Sequence, residues 1–311
     1  MSNQIKITFP DSSVKEYKSG ISSLEIAKSI SNSLAKKILV ASFNDVHIDL
    51  STQLTENGSI KFFTWDDIEG KKTFWHSSAH LLAEAVESLY PGVKFGIGPP
   101  IDNGFYYDID FKEYDSSGIN TSKIEKKFIE LCSKNLSFER KKISKKEALK
   151  YFKDKGDEYK LELLEDLDDG KITFYNQGNF TDLCKGPHVP SSKFIKSIKI
   201  LNVAGAYWRG DEKNKQLTRL YAISFPKQEL LDDYMLKLEE AKKRDHRKIG
   251  KELELFLFSE KVGQGLPIWL PNGHIVREKL IDFMYKEQKK QGYQHVTCLL
   301  YTSPSPRDQE A

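Results

Sequence analysis

Residues 74–90 read FWHSSAHLLAEAVESLY, and this stretch is the clearest helix signal in the chain. Its apolar residues recur at helical spacing, which predicts an amphipathic helix with one buried face. These apolar residues are Leu81, Leu82, Ala85, Val86 and Leu89. Pro91-Gly92 ends the pattern, because neither residue continues a helix at low cost. The same stretch carries two histidines, so it predicts both a packing element and part of a chemical site.

Two short motifs concentrate the residues that can do chemistry. His76 and His80 are four residues apart, so both imidazoles lie on one face of the predicted helix. Cys184-Lys-Gly-Pro-His188 spans a turn, because Gly186-Pro187 favours a bend that can point both ends the same way. The sequence has seven histidines and three cysteines, and these motifs hold four of those ten residues. Each motif alone is a weak signal, and together they predict one His/Cys site.

Two chemistries fit such a site. Three imidazoles and one thiol are good ligands for zinc. Without a metal, neutral imidazoles could position and deprotonate a water molecule near neutral pH, as a hydrolytic site requires. The spacing is compatible with both. Ser77 stands where the HExxH metalloprotease motif has glutamate, which disfavours a protease of that class.

The first 64 residues predict a small module that is rich in strands. Gln4–Phe9 alternates and is followed by the turn signal Pro10-Asp11, and Ser22 and Ser23 precede a short amphipathic helix. Further strands are predicted at Val14–Tyr17, Ile38–Phe43, Val46–Ile48 and Ser59–Phe63. This order is typical of a ubiquitin-like β-grasp fold. The chain has no GxxxxGK[ST] motif, which argues against a P-loop GTPase built on that module.

The later sequence predicts mixed helices and strands. Strand character is expected at Phe95–Asp110, Lys171–Phe174 and Ile195–Ala204, charged helices at 121–153, and a turn-rich segment at Asn176–Pro190. Phe225-Pro226 opens a long helix, which ends in the basic run Lys242–Lys248 and is stopped by Gly250. We interpret it as an inter-domain linker. A third domain begins with strand-like Leu253–Phe258 and a helix near Val276–Lys290.

Bulk composition sets broad limits. A chain of 311 residues is long enough for two or more domains, and its net charge of +3 is weak evidence for any partner. It has no apolar run of the roughly 20 residues that span a bilayer, and no signal-peptide pattern, so a cytoplasmic location is expected. Cys132, Cys184 and Cys298 are too few and too scattered for a disulfide framework, which indicates thiols in a reducing compartment.

Several motifs resemble, in the same order, those of threonyl-tRNA synthetases. His76-Ser-Ser-Ala-His80-Leu-Leu is similar to the family's HSxAHLL helix, and Asp182-Leu-Cys184-Lys-Gly-Pro-His188-Val-Pro190 is similar to its DxC[RK]GPHVP segment. Further similar segments are Gly98–Asp108, Ala204–Asp211, Arg244–Gly250 and Trp269–Gly273. Single motifs are shared with the alanyl-tRNA editing family, but the full series, which runs to about residue 297, is specific.

The resemblance implies an α+β multidomain protein. It implies a β-grasp TGS domain at 1–64, an α+β editing domain at 65–225, a linker helix at 226–250 and the start of a class II antiparallel-sheet catalytic domain at 251–297. The editing domain of the family hydrolyses mischarged Ser-tRNA(Thr). Serine lacks one methyl group of threonine, worth about 1–3 kcal/mol of discrimination, so a second, hydrolytic site is needed to remove the wrong product.

The resemblance also implies which residues act. The editing site would be lined by His76, His80, Cys184 and His188. Lys160 would activate the water or stabilise charge, and Tyr107 and Asp182 would position the substrate. Phosphates of the tRNA would be contacted by Lys243, Arg244, Arg247 and Lys248, although cations are also favourable at a helix C-terminus for local reasons.

The class II catalytic domain is expected to be incomplete. Motifs 2 and 3, which bind ATP, and the ligands of the family's catalytic zinc are absent from the sequence. We therefore expect ATP with Mg, one Zn, homodimer formation and the charging of tRNA(Thr) with threonine from a full-length parent, and no aminoacylation from this chain. Residues 298–311 match nothing in the family, and Tyr301–Asp308 resembles a translated sequencing adapter. We hypothesise that this tail is not native.

Three other functions stay open at this point. A stand-alone deacylase acting in trans is disfavoured by the partial catalytic domain. A tRNA- or ribosome-binding module without catalysis is disfavoured by the His/Cys cluster. A metal-dependent hydrolase of another substrate would be supported by a bound metal.

Overall fold

The computed structural model describes residues 4–112, 114, 118–263 and 265–296. The described residues fall into two compact units, unit 1 within Met1–Tyr234 and unit 2 within Met235–Ala311. Cys298 and the tail that we hypothesise to be non-native lie outside the described residues. In the part of the chain that the structure describes, every helix is too short or too polar to cross a membrane.

Unit 1 begins with a five-stranded sheet that is covered by a helix. Its elements are β1 Gln4–Thr8, β2 Val14–Lys18, β3 Ile21–Ser22, α1 Ser23–Ile30, α2 Asn32–Ala35, β4 Val40–Phe43, β5 Val46–Ile48, β6 Gln53–Leu54 and β7 Gly58–Phe63. The sheet order is β2-β1-β7-β4-β5, with β1 parallel to β7. The first and last strands thus pair at the centre under the helix, as in the predicted β-grasp fold.

Helix α1 shows how the local sequence sets this module. The Ser22 side chain accepts a hydrogen bond from the Glu25 backbone N–H, and the Glu25 carboxylate accepts one from the Ser22 N–H at 2.8 Å. This capping box satisfies two backbone donors at the helix start. Ile26 and Ala27 of this helix are fully buried in the core of the module. The predicted N-cap is therefore confirmed.

The rest of unit 1 combines one long helix with two sheets. Its elements are α3 Ile68–Leu89, β8 Lys94–Phe95, β9 Pro100–Ile101, β10 Gly104–Asp110, α4 Thr121–Ser133, β11 Glu139–Lys142, α5 Lys145–Lys155, α6 Glu158–Glu165, β12 Thr173–Gln177, β13 Phe180–Leu183, β14 Ser197–Tyr207 and β15 Gln216–Phe225. One sheet has the order β14-β15-β10-β8, with β9 on β10, and the other has the order β11-β12-β13. Helix α3 packs on both, which places it at the centre of the fold.

Helix α3 begins earlier than its aliphatic pattern predicts. It starts at Ile68 rather than Phe74. A Cβ atom on Gly70 would lie 1.8 Å from the Thr64 carbonyl oxygen, so the first turn of the helix packs directly against the backbone before it. Trp65 then packs edge-on against Phe74. A search for aliphatic periodicity misses these turns because their contacts are made by glycine and aromatic residues.

Two strands lie where the sequence predicts helix or turn. Strand β11 interrupts the helices expected at 121–153, and its four residues are all exposed and all charged, so it has no apolar alternation to detect. Strand β13 lies inside the segment expected to be turn-rich. Helix α6 was also not predicted. Strand β13 carries Asp182 and leads into the loop of Cys184 and His188, and α6 carries Lys160, so the positions of these two elements matter for the site.

Helix α7, Gln228–Lys243, crosses the boundary between the units, and unit 2 continues with α8 His246–Glu252, β16 Phe256–Phe258, β17 Pro267–Trp269 and α9 Pro271–Lys290. The prediction of one helix through Lys248 that is stopped by Gly250 was wrong. The Asp245 side chain accepts a hydrogen bond from the Arg247 N–H at 2.8 Å and starts a new helix. Gly250 lies inside that helix and does not end it. The Phe256 ring packs where a Cβ atom would be, which explains why this helical position holds glycine.

Candidate active site

The two predicted motifs meet in unit 1. Helix α3 supplies His76 and His80, and the loop after β13 supplies Cys184 and His188. One ligand atom of each residue lies within 4.8 Å of the others. The Cys184 Sγ atom lies 3.2 Å from His76 Nε2 and 3.3 Å from His188 Nε2. The structure therefore brings all four residues into one cluster, which we call the His/Cys cluster.

Hydrogen bonds fix the orientation of His188. The Ser77 hydroxyl donates to the Thr73 carbonyl at 2.8 Å, so its oxygen can only accept from the His188 ring, whose Nδ1 lies 3.0 Å away. The proton of His188 is therefore assigned to Nδ1, which leaves Nε2 as an acceptor facing Cys184. The Phe138 ring stacks on the imidazole at 5.0 Å between ring centroids.

Burial keeps the cluster uncharged. It lowers the pKa of His76 to about 4 and that of His80 to about 3, although the charge of Asp182 opposes the shift in both. The pKa of His188 is also well below its ordinary value because of burial. Burial raises the pKa of the Cys184 thiol to about 12. At neutral pH the cluster thus holds neutral imidazoles and a protonated thiol.

A buried ion pair accompanies the cluster. Lys160 on α6 and Asp182 on β13 are joined by a contact of 2.6 Å between Nζ and Oδ1, and both side chains are 4% exposed. The Tyr107 hydroxyl on β10 donates to the other oxygen of Asp182 at 2.6 Å. Burial alone would raise the pKa of Asp182, but Lys160 and its other partners hold it below its ordinary value. The three residues predicted beside the His/Cys motifs therefore form one connected group.

The donor set of the His/Cys cluster is compatible with a metal ion. Tetrahedral zinc with three nitrogen ligands and one sulfur ligand places neighbouring ligand atoms about 3.5 Å apart. The two sulfur–nitrogen distances in the cluster, 3.2 Å and 3.3 Å, are close to that value. His80 Nδ1 is buried without a hydrogen-bond partner among the described residues, which leaves a nitrogen with unused bonding capacity. These four residues could therefore hold zinc.

The basic residues predicted to contact tRNA belong to unit 2. Each lies within 4.0 Å of a nearby acidic residue: Lys243 and Arg244 with Glu240, Arg247 with Asp245, and Lys248 with Glu252. All four cationic side chains are exposed. These acidic neighbours reduce the net positive charge around the basic run Lys242–Lys248.

Sequence reasoning missed several residues that contact the cluster, among them Phe138 and three residues that make hydrogen bonds around His188, namely Ser77, Asp49 and Tyr175. Ser77 orients His188, as described above. Asp49 in the β-grasp module accepts a hydrogen bond from the His188 backbone N–H at 2.8 Å, and another from the Tyr175 hydroxyl at 2.7 Å. The sequence did contain a signal for Ser77. It directly follows His76 in the predicted helix, and a serine hydroxyl at such a position can form a hydrogen bond to a neighbouring loop. Asp49 and Tyr175 gave no local signal.

Two family profiles match the chain. A TGS domain profile covers residues 5–64, and a profile described as "Threonyl and Alanyl tRNA synthetase second additional domain" covers residues 172–221. The second match includes Asp182, Cys184 and His188. Lys160 and the two histidines of α3 lie before it, so the positions of the histidines in the His/Cys cluster and of Lys160 in the adjoining ion pair are known from the structure.

Curated relatives match nearly the whole chain. A threonine–tRNA ligase of Cytophaga hutchinsonii is 60% identical over 292 residues, which is 94% of this chain and 45% of the relative. A threonine–tRNA ligase of Parabacteroides distasonis is 55% identical over 294 residues, and one of Flavobacterium psychrophilum is 52% identical over 292 residues, with the same coverage. The chain thus spans about 45% of the length of the curated relatives that it matches.

Proposed function

We propose that this chain, which corresponds to the N-terminal part of threonine–tRNA ligases, hydrolyses the ester bond of serine wrongly attached to tRNA(Thr). The observation that carries the proposal is the uncharged His/Cys cluster beside a buried lysine–aspartate pair, in a chain with those relatives. Ester hydrolysis needs an oriented water, a fixed positive charge for the developing oxyanion, and polar groups that select the substrate. The site offers a candidate for each.

His76 is the best candidate for contact with the attacking water. It is partly exposed, whereas His80 and His188 are buried. An imidazole with a pKa near 4 is a weak base at neutral pH. We therefore assign His76 mainly to orienting the water, and expect the larger rate effect from charge stabilisation.

Lys160 is the candidate for that charge stabilisation. An ammonium group has three donors. Two of them are directed at Asp182 and, at 3.5 Å, at the Tyr107 hydroxyl, so within the described residues one donor is left for substrate. Because the ion pair is buried, its field is weakly screened and its geometry is set before the substrate arrives. Asp182 remains ionised and could accept a hydrogen bond from the serine hydroxyl or amine.

The test is hydrolysis of Ser-tRNA(Thr) by the chain, with Thr-tRNA(Thr) as the competing substrate. We expect serine-selective hydrolysis that falls by about 100-fold or more in Lys160→Ala, as for loss of a preorganised donor, and clearly in His76→Ala and Cys184→Ala. His47→Ala is the matched control, because His47 is an exposed histidine of the β-grasp module. A folded chain that leaves Ser-tRNA(Thr) intact contradicts the proposal.

A metal-dependent hydrolase is the second candidate, and the unpartnered His80 Nδ1 favours it. His76, His80, Cys184 and His188 would hold the ion, which would lower the pKa of a bound water and act as a Lewis acid. Zinc content and deacylation should be measured before and after treatment with a chelator. If the hydrolysis needs no metal, the chelator should leave the deacylation rate unchanged. If the chelator abolishes deacylation and added zinc restores it, the reaction is metal-dependent.

For the whole protein we propose the activity printed for its relatives, threonine–tRNA ligation, in the cytoplasm. We expect the whole protein to use ATP with Mg and one Zn, to bind tRNA(Thr) and to form a homodimer. Binding of tRNA(Thr) without hydrolysis would instead support a tRNA-binding module. Hydrolysis of serine from tRNA that another synthetase has charged would support a deacylase acting in trans.

A further inference from the structure

Asp49 is a buried carboxylate that reaches from the β-grasp module to the His/Cys cluster. It directly follows β5 and is 7% exposed. Its neighbours fix its position: Leu50 is buried in the core of the module, and the Asp49 carbonyl accepts a hydrogen bond from the Thr52 N–H at 3.0 Å. The backbone that carries the carboxylate is therefore held by a core separate from the one around the cluster.

Both oxygens of Asp49 bond to groups around His188. Oδ1 accepts from the His188 backbone N–H at 2.8 Å, and Oδ2 accepts from the Tyr175 hydroxyl at 2.7 Å. The Tyr175 ring in turn meets the His188 imidazole edge-on, with 4.4 Å between ring centroids. Hydrogen bonds from neutral donors to a carboxylate are stronger than those to neutral acceptors. Asp49 thus holds His188 through its backbone and through a ring that packs on it.

Tyr175 also closes the loop between Cys184 and His188. A Cβ atom on Gly186 would lie 1.9 Å from the Tyr175 hydroxyl oxygen, so the loop backbone packs directly on the group that Asp49 binds. The Gly186 N–H donates to Cys184 Sγ at 3.2 Å. Asp49 is therefore connected to His188 by a direct hydrogen bond and to Cys184 through Tyr175 and Gly186.

We infer that Asp49 is a positioning residue for the His/Cys cluster, so that the β-grasp module completes the site of the neighbouring domain. Asp49 does not face the reacting atoms, and acts by holding the backbone of His188 and the ring of Tyr175. The kinetic part of this inference rests on the proposed deacylase function. The structural part, the hold on His188, does not.

The kinetic test compares Asp49→Ala, Asp49→Asn and Glu56→Ala in the full chain with Ser-tRNA(Thr). We expect Asp49→Ala to lower kcat by about 10- to 100-fold with little change in KM, the usual effect of losing a group that orients a reactive residue. Asp49→Asn keeps an oxygen for the His188 N–H and an amide for Tyr175, so it should recover most of the loss. Glu56 is an exposed acid of the same module, and its variant should match the wild type.

The structural test follows the exchange of the His188 backbone amide hydrogen by NMR. Exchange should be faster in Asp49→Ala and unchanged in Glu56→Ala, whether or not the chain deacylates tRNA. If Asp49→Ala does not fold, Tyr175→Phe and Asp49→Asn replace it, and Tyr175→Phe should lower kcat by a few-fold. A folded Asp49→Ala variant with wild-type kcat and wild-type His188 exchange would overturn the inference. An inactive wild type with faster His188 exchange in Asp49→Ala would reject the deacylase alone.

Discussion

Helices α3 and α9 have similar lengths and very different surroundings. Helix α3 in unit 1 has 22 residues, and its buried positions include Phe74, His80 and Leu82. Helix α9 in unit 2 has 20 residues, of which Gly273 is the buried one. Leu280 and Phe283 on α9 are more than half exposed. A regular helix therefore forms in both units, but only α3 is covered on its apolar face by other described residues.

The same contrast holds for the units as wholes. The buried hydrophobic side chains of the described residues all fall between Ile5 and Leu231, in unit 1. A chemical site can be held to within tenths of an ångström only by a packed surrounding. This difference explains why the buried polar groups that could do chemistry lie in unit 1, whereas the charges of unit 2 lie at the surface.

The largest expected effect is at the buried ion pair of unit 1. Asp182→Asn leaves the Lys160 ammonium buried without its counter-ion, and such a loss costs about 3–5 kcal/mol of the free energy of unfolding. The control is Glu287→Gln in unit 2, which removes an exposed partner of Lys290 and should change stability little. Urea unfolding monitored by fluorescence measures both. Equal effects of the two variants would contradict the difference drawn between the units.

The next effect compares one substitution in the two helices. Leu82→Ala opens a cavity in the core of unit 1 and should cost about 2–5 kcal/mol. Leu280→Ala removes a side chain that is 60% exposed, and should alter stability by less than about 0.5 kcal/mol. Thermal and urea unfolding of both variants provide the comparison. A large loss in Leu280→Ala would mean that its side chain is covered in solution.

Amide hydrogen exchange distinguishes helices α3 and α9 without mutation. Amides of α9 should exchange at least about 100-fold faster than those of α3, because few buried contacts oppose local opening of α9. Residue-resolved exchange by NMR at neutral pH measures this ratio. Equal protection of the two helices would show that α9 is stabilised by contacts that the described residues do not make, for example self-association.

The smallest expected effect is a pH dependence in unit 1. In the unfolded chain a histidine binds a proton near pH 6.5. In the folded state the pKa of His76 is about 4 and that of His80 is about 3, so between these values the unfolded state binds more protons. The free energy of unfolding should therefore fall as the pH falls from about 7 to about 4, by on the order of 1 kcal/mol per histidine between pH 7 and 5.5.

This dependence is measured by urea unfolding of the metal-free chain at pH 7 and 5.5. His76→Gln should reduce the loss of stability on acidification, because it removes one of the groups that titrate. His47→Ala serves as the control and should leave the slope unchanged. A wild-type stability that is constant between these pH values would contradict the neutral, buried state assigned to the cluster.

Some features of the fold and site follow from local sequence. The capping box at Ser22 and the shared face of His76 and His80 depend on hydrogen bonds and angles within one or two turns. The bend at Gly186-Pro187 is equally local. Such features are predicted well because the groups that determine them are neighbours in the chain. The predicted bounds of helices were less accurate where a helix is held by glycine and aromatic contacts rather than by regularly spaced aliphatic residues, as at Gly70 and Gly250.

Local sequence patterns and the family resemblance were sufficient to identify the two His/Cys motifs, the elements that carry them and the residues expected beside them. Three further features depend on the tertiary fold. Lys160, Asp182 and Tyr107 form one connected group, burial keeps the histidines of the cluster neutral, and Asp49 reaches the cluster from the β-grasp module. The physical reason is distance along the chain. Asp49 and His188 are 139 residues apart, and no local pattern records a hydrogen bond that exists only after two separate cores have packed together.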